Sequence, residues 1–395
     1  MSALLEGVRV LDLSRIMAGP WAGQLLADLG ADVIKIERPV LGDDTRSWGP
    51  PYLADRSGHP TSESAYYLSV NRGKRSVAVD LASPEGRRVV RTLAGRSDIV
   101  LENFKVGTLA RHGLDYDALA DLNPRLIYCS ITGFGQTGPR RDQAAYDFMV
   151  QAMGGLMSVT GAPDEVPGGG PQKVGVPIVD LMTGMYAAVA VLAALERRHR
   201  TGQGEYIDLA MLDVQHAFLA NQAMNHLVTG REPVRRGNRH PNIQPQNVYR
   251  CADGHLAVAV GNDGQFARFA AVLGQPGWAT DERFRSNADR VGHIDELEAL
   301  VGEILRTRPV HEWATALDQA GVPCGPINSV GAALADPHAR ERGTVVEVPH
   351  PLAGTVPQVR SPYVFRNAEL RTDRHPPLLG EHTAEVLAEL GIEEY

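Results

Sequence analysis

Asp180 is the residue whose neighbours best suit it for chemistry. It follows the apolar run Val174-Gly-Val-Pro-Ile-Val179 and opens a long apolar segment. A carboxylate at a helix start has two uses. As an N-cap it accepts backbone N–H bonds. Kept ionised by the helix end and stripped of water by apolar neighbours, it is a nucleophile. The pattern alone leaves both open. Asp147, directly after Tyr146, begins another helical segment and admits the same pair of readings. A second group is cationic: Arg15, Arg38, Arg46, Lys74, Arg75, Lys105 and Arg111, all near predicted strand ends or loops of the first half. Singly, each reads as a solvated charge. Together they form an array able to face a polyphosphate, because ligands of open α/β sheets bind beyond the strand C-termini.

Several chemistries lack their motif. Only one glycine precedes Pro20 where a dinucleotide fingerprint needs GxGxxG. The run Gly168–Gly170 lacks the GK[ST] of a phosphate loop, and no GxSxG is present. His112, His216, His226 and His240 are scattered, with no HExxH or HxH, so no metal site is expected.

The elements that must carry these residues alternate. Val8–Leu13 and Asp32–Glu37 read as strands flanking a helix over Trp21–Leu29, after an Ala18-Gly19-Pro20 turn. Strands over Ser76–Asp80, Asp98–Glu102 and Arg125–Ile131 follow, with a helix from Ser83-Pro84-Glu85 between the first two. A helix from Tyr146, a longer one from about Asp180 to Arg200 and a strand over Glu205–Leu209 complete the series. Strand–helix alternation predicts an α/β fold with a parallel sheet. Gly and Pro crowd residues 228–245, which marks a domain boundary. Hairpin-like strands and amphipathic helices occupy 246–325, and the Pro-rich tail reads as extended until a helix over His382–Leu390. The predicted division is 1–227 for a large domain, 228–325 for a small one with its entry linker, and 326–395 for a segment returning to the first.

Composition narrows the function. The 395 residues are 43% hydrophobic and 22% charged, with a net charge of −8, which suits a folded protein rather than a disordered or nucleic-acid-binding one. Cys129, Cys251 and Cys324 form no CxxC pair, so no disulfide framework is expected. The N-terminus has no signal-peptide pattern, and the apolar stretch Met182–Leu195 is shorter than the roughly 20 residues a bilayer requires. A cytoplasmic protein with no membrane partner is expected.

Taken together, the motifs resemble class III CoA-transferases, the family of formyl-CoA transferase and of the carnitine and bile-acid CoA-transferases (CaiB/BaiF). The resemblance rests on Arg9-Val-Leu-Asp-Leu13, Ala18-Gly-Pro20, Leu26–Arg38, Gly42-Asp43, Asn71–Ser76, Glu102-Asn-Phe104, Gly133–Pro139, Asp180-x3-Gly184, Gly325–Asn328 and Pro377–Thr383, in order over nearly the whole chain. It implies a Rossmann-like large domain built from both chain ends, a smaller α+β domain between them, and an interlocked homodimer. It implies Asp180 as nucleophile, forming mixed-anhydride and aspartyl-CoA thioester intermediates. CoA contacts are implied at Met17, Ala18, Arg38, Asn103, Phe104, Lys105, Arg111 and Tyr146. CoA and acyl-CoA are substrates, with no permanently bound cofactor, and a carboxylic acid is the acceptor.

Departures from the family matter. Met17 stands where formyl-CoA transferase has Gln, Ala144 where it has Lys, and its Gly-rich loop is missing. Oxalate and formate are therefore not expected as substrates. Ser69–Lys74, Gly133–Pro139 and Gly261–Phe266 look most like the dicarboxylate-using, succinyl-CoA:glutarate branch. Arg46, Trp48, Arg239 and His240 are candidates for holding the acid. The alternatives are an α-methylacyl-CoA racemase or epimerase, although Tyr146 replaces the His of its proton-transfer pair, and a silent CoA-binding protein.

Overall fold

The computed structural model describes residues 2–392. They form two compact units. The first comprises residues 2–156, 174–224 and 338–392, the second 157–173 and 225–337. Segment 157–173, which falls in the first span on sequence, thus packs with the second unit, and the return to the first comes at 338.

The first unit is built on six parallel strands: β1 (Arg9–Asp12), β2 (Asp32–Glu37), β3 (Arg75–Ala78), β4 (Ile99–Glu102), β5 (Ile127–Thr132) and β6 (Glu205–Ala210). Their order is β3-β2-β1-β4-β5-β6. The chain runs outward from β1 in one direction, then from β4 in the other. The loops after β1 and β4 therefore diverge, leaving a crevice at the C-terminal edge.

Alternate residues of each strand face opposite layers. Val10, Ile99, Leu101, Ile127 and Cys129 enter one core with helices α1 (Ala18–Asp28) and α4 (Ile178–Thr201). Leu11, Val100 and Tyr128 enter the other with α2 (Pro84–Gly95) and the C-terminal helix Thr383–Leu390, through Val386 and Leu390. The sheet-bearing unit thus uses both chain ends. By length and apolarity α4 could cross a bilayer. Val179, Ala187, Val191 and Leu195, however, form a one-sided stripe buried in the sheet's core, the pattern of a covering helix.

Two expectations change in this unit. Ala18-Gly19-Pro20 is not a turn before α1 but its first turn, where proline costs no hydrogen bond. The tail is not merely extended: Val345–His350 and Gly354–Val359 pair as an antiparallel hairpin. Pro349 and Pro357 fit because a two-stranded ribbon has free edges.

The second unit carries a three-stranded antiparallel sheet of β7 (Gln246–Arg250), β8 (His255–Ala259) and β9 (Cys324–Pro326), with β8 central. Its helices bury Phe266, Phe269, Leu297, Val301 and Trp313 against Leu256 and Val258.

Candidate active site

The crevice at the β1/β4 switch holds a cavity of about 210 Å³. Met17 comes from the end of the loop after β1, Ala18 from the first turn of α1, and Asn103, Phe104 and Lys105 from the loop after β4. Tyr146 and Asp180 come from the starts of α3 (Asp147–Met153) and α4. With Arg15 of the cationic array, eight residues singled out in the sequence therefore wall one cavity. A second cavity of about 210 Å³ shares Arg15 and Phe104 with it and is lined by Arg38, Val79 and Leu81 beyond the ends of β2 and β3. Arg111 lies on the exposed turn Ala110–His112, whose His112 also lines this second cavity.

The readings of Asp147 and Asp180 separate here. The N-cap position of α4 is Pro177, whose ring carries no hydrogen-bond acceptor. Asp147 caps the helix from another element: its Oδ2 accepts from the backbone N–H of Val179 at 2.7 Å and of Asp180 at 3.3 Å. Its Oδ1 accepts from Gln151 Nε2. Gln151 Oε1 in turn accepts from Val174 N at 2.9 Å, fixing the chain that enters α4. Asp180 is thus not a cap. Among the described residues its carboxylate has no hydrogen-bond donor, and it faces the cavity. Burial, and then the neighbouring Asp147 charge, push its pKa up to about 7. The helix end does not hold it in the usual carboxylate range. It remains ionised in a large fraction at neutral pH and is more basic than an ordinary aspartate.

The loop after β1 is held rigidly. Asn103 spans the crevice, its Oδ1 accepting from Arg15 N at 2.8 Å and its Nδ2 donating to Arg15 O at 2.7 Å. Lys35 Nζ donates to Ser14 O at 2.8 Å and pairs with Asp43, whose carboxylate accepts from Ile16 N. Ile16 sits at φ 73°, a left-handed conformation that strains a β-branched residue and that these contacts enforce. Among the described residues the N–H groups of Met17, Ala18 and Gly19 find no acceptor, as at any open helix start. Gly184 lets α4 approach this end of α1: a Cβ there would stand 2.7 Å from Ala18 O and 2.8 Å from the Trp21 ring. The loop after β4 hangs on Glu102, whose Oε2 accepts from Phe104 N at 2.8 Å and whose Oε1 accepts from Ser130 Oγ. Burial pushes Glu102 up to about 7.

Three cations of the expected array do other work. Arg46 gives Nε and Nη2 to Glu37 at 2.8 Å, Nη1 to Glu63 at 3.0 Å, and lies over the Tyr67 ring at 3.7 Å. It is buried and spoken for, so it is not an acid-binding residue. Lys74 is fully buried on Asp12, Asn71 and Pro20 O. Arg75 ties Asp32 to Glu385 and Glu389 of the C-terminal helix. Trp48 packs edge-to-face on Tyr66, with ring centroids 5.1 Å apart. Burial and the charges of Asp180, Asp147 and Asp43 raise the Tyr66 phenol to about 12. Tyr66 is a site neighbour that carries no motif of its own in the sequence. Arg239 and His240 belong to the second unit: Arg239 pairs with Asp295 at 2.7 Å, and His240 Nδ1 accepts from Asn242 N and Ile243 N.

Comparison with known proteins matches this architecture throughout. The family model for CoA-transferase family III matches residues 5–383. A succinate–glutarate CoA-transferase of Agrobacterium fabrum is 51% identical, covering 98% of this chain and 95% of the relative. The human succinyl-CoA:glutarate CoA-transferase is 40% identical over 98% of this chain and 86% of its own. The crystal structure of a CaiB/BaiF family protein from Brucella suis superposes with a TM-score of 0.87 at 47% identity, covering 99% of this chain and all of that one. The site at the sheet's switch point therefore sits in a fold and a sequence shared over nearly all of this chain, and the chain belongs to CoA-transferase family III.

Proposed function

We propose that the protein moves CoA from succinyl-CoA, or a closely related dicarboxylyl-CoA, to a dicarboxylic acid of the glutarate class through Asp180. The observation that carries this is the unbonded Asp180 carboxylate on the cavity wall, left free because Asp147 caps α4 in its place. The substrate class follows from the relatives that use succinate and glutarate. The nucleotide end of CoA occupies the cavity lined by Arg38, and the thioester reaches Asp180 past Arg15 and Phe104.

An Asp180 carboxylate oxygen attacks the thioester carbonyl. The C–S bond breaks, giving a mixed anhydride and CoA thiolate. The thiolate attacks the aspartyl carbonyl, releasing the donor acid as its carboxylate and leaving an aspartyl-CoA thioester. The acceptor carboxylate attacks that carbonyl and again expels the thiolate. Attack of the thiolate on the acceptor's acyl carbon then gives the new acyl-CoA and restores Asp180. No proton is gained or lost, and the thioester's free energy is conserved. The N–H groups of Met17 and Ala18, which line the same cavity as Asp180, are suited to stabilise each tetrahedral oxyanion. Racemisation would need a second proton-transfer group where the chain has Tyr146.

A homodimer is part of the proposal. It is supported by apolar side chains left exposed beside the site, Phe148 and Met149 on α3 and Tyr186 and Val189 on α4. Light scattering coupled to gel filtration reports it.

Borohydride trapping tests the covalent route. Incubation with succinyl-CoA, reduction and peptide mass spectrometry should find Asp180 reduced to the alcohol, and only when acyl-CoA is present. An unmodified Asp180 across a panel of dicarboxylyl-CoA donors overturns it.

A further inference from the structure

Outside both cavities lies a third concavity, a groove of about 500 Å³ along the first turns of α2. It is lined by Pro84, Arg87, Arg88, Arg91, Leu122 and His112. His112 also walls the cavity that contains Arg38, so the two spaces meet at that ring.

Arg87 and Arg91 of this groove differ from the arginines buried in the first unit. Arg46, Arg72, Arg75 and Arg198 are all ion-paired. Among the described residues Arg87 and Arg91 have no carboxylate partner, in a chain whose net charge is −8. Nor are they loose. Arg87 Nη1 donates to Ala82 O at 2.6 Å, and Arg91 Nη1 to Gly113 O at 2.7 Å. Each guanidinium is anchored by one N–H and keeps its remaining donors unpaired, so less rotamer entropy is lost when an anion arrives. Ala82 itself lines the Arg38 cavity, so the Arg87 anchor lies on the rim joining the two spaces. The groove also begins at the N-terminal turns of a twelve-residue helix, whose dipole favours negative charge.

The geometry points to a binding site for a phosphate monoester dianion, held by Arg87 and Arg91 and continuous with the nucleotide cavity. The ligand this commits to is the 3′-phosphate of CoA. The assignment rests on the reading that the nucleotide end of CoA lies beside Arg38. It makes the Arg87–Arg91 pair the feature that separates CoA from its dephospho form.

The test compares succinyl-CoA with succinyl-dephospho-CoA in the wild-type protein and in an Arg87→Gln/Arg91→Gln variant. Calorimetric binding of CoA and dephospho-CoA runs beside the kinetics. In the wild type the dephospho thioester should show a KM on the order of tenfold higher at unchanged kcat, as expected for loss of a charge-assisted contact. The variant should raise KM for succinyl-CoA to that level and leave the dephospho substrate unaffected. An Arg87→Lys/Arg91→Lys variant, which keeps the charge, should recover part of the difference and controls for folding. A wild-type preference for CoA that survives in the Gln variant overturns the assignment. Inorganic phosphate that raises the melting temperature of wild type but not of the variant, with no change in the thioester ratio, makes the groove a site for free phosphate and also overturns it. Wild type that binds CoA more tightly than dephospho-CoA, yet transfers nothing, leaves the groove intact and removes the transferase reading instead.

Discussion

Replacing Asp180 with Asn should make the protein more stable as well as inactive, and the gain should depend on pH. The carboxyl rises from an ordinary 3.8 to about 7 in the folded state, from burial first and Asp147 second. At 1.36 kcal/mol per unit that is about 4 kcal/mol. The carboxylate keeps part of its surface in the cavity's water, and about 2 kcal/mol is the better figure. A group with a raised folded pKa binds more protons folded than unfolded. Stability therefore falls as pH rises from about 4 to about 7, then levels. The amide of the Asp180→Asn variant does not titrate. That variant should match wild type near pH 4 and exceed it by about 2 kcal/mol at pH 8. Glu102 is raised in the same direction but is present in both proteins, so it cancels. Urea unfolding of the pair at pH 4.5, 6 and 8 measures the difference. A constant difference, or none at pH 8, refutes the claim that burial and Asp147 hold this carboxyl up.

Three further outcomes follow from the site. Asp147→Asn should move the inflection of kcat/KM for succinyl-CoA below pH 7, because on the proposed route the ionised Asp180 is the attacking form and its like-charged neighbour is gone. An inflection that stays put in a pH–rate profile counts against the pairing. Glu102→Ala should raise KM for acyl-CoA by freeing the Phe104 N–H, and Glu102→Gln, which keeps an acceptor, should restore most of it; equal effects in steady-state kinetics refute the latch. Arg46→Ala should destabilise by about 3–5 kcal/mol, leaving Glu37 and Glu63 buried without their partner. An unchanged melting temperature with a raised acid KM would return Arg46 to the substrate site.

Much of the sheet was readable because parallel strands covered on both faces appear as apolar runs, and Ile99–Leu101 and, interrupted by the ion-paired Lys35, Val33–Ile36 do so. The start of α4 was readable from the long apolar segment that follows Asp180, and with it the position of Asp180. Which aspartate caps α4 was not. The hydrogen bond runs from residue 179 back to residue 147, and a contact across 32 positions leaves no local pattern. The fate of each cation was hidden likewise, since Arg75 finds Glu385 and Glu389 more than 300 residues away. The hairpin at 345–359 was obscured by Pro349 and Pro357, which break a strand pattern but not an edge.

The discontinuity of the first unit sets an order on its birth. A ribosome releases β1 to β6 long before the helix that covers Val77 and Val89 with Val386 and Leu390. Until that helix emerges, Arg75 lacks two of its three carboxylates and the part of the sheet face beside α2 that the helix covers stays open to water. The interior segment 225–337 has its own core and is complete before the tail is made. A nascent chain stalled ahead of residue 383 therefore presents a finished inner unit and an outer one with an apolar patch still uncovered. That exposed apolar face is the kind of surface chaperones engage.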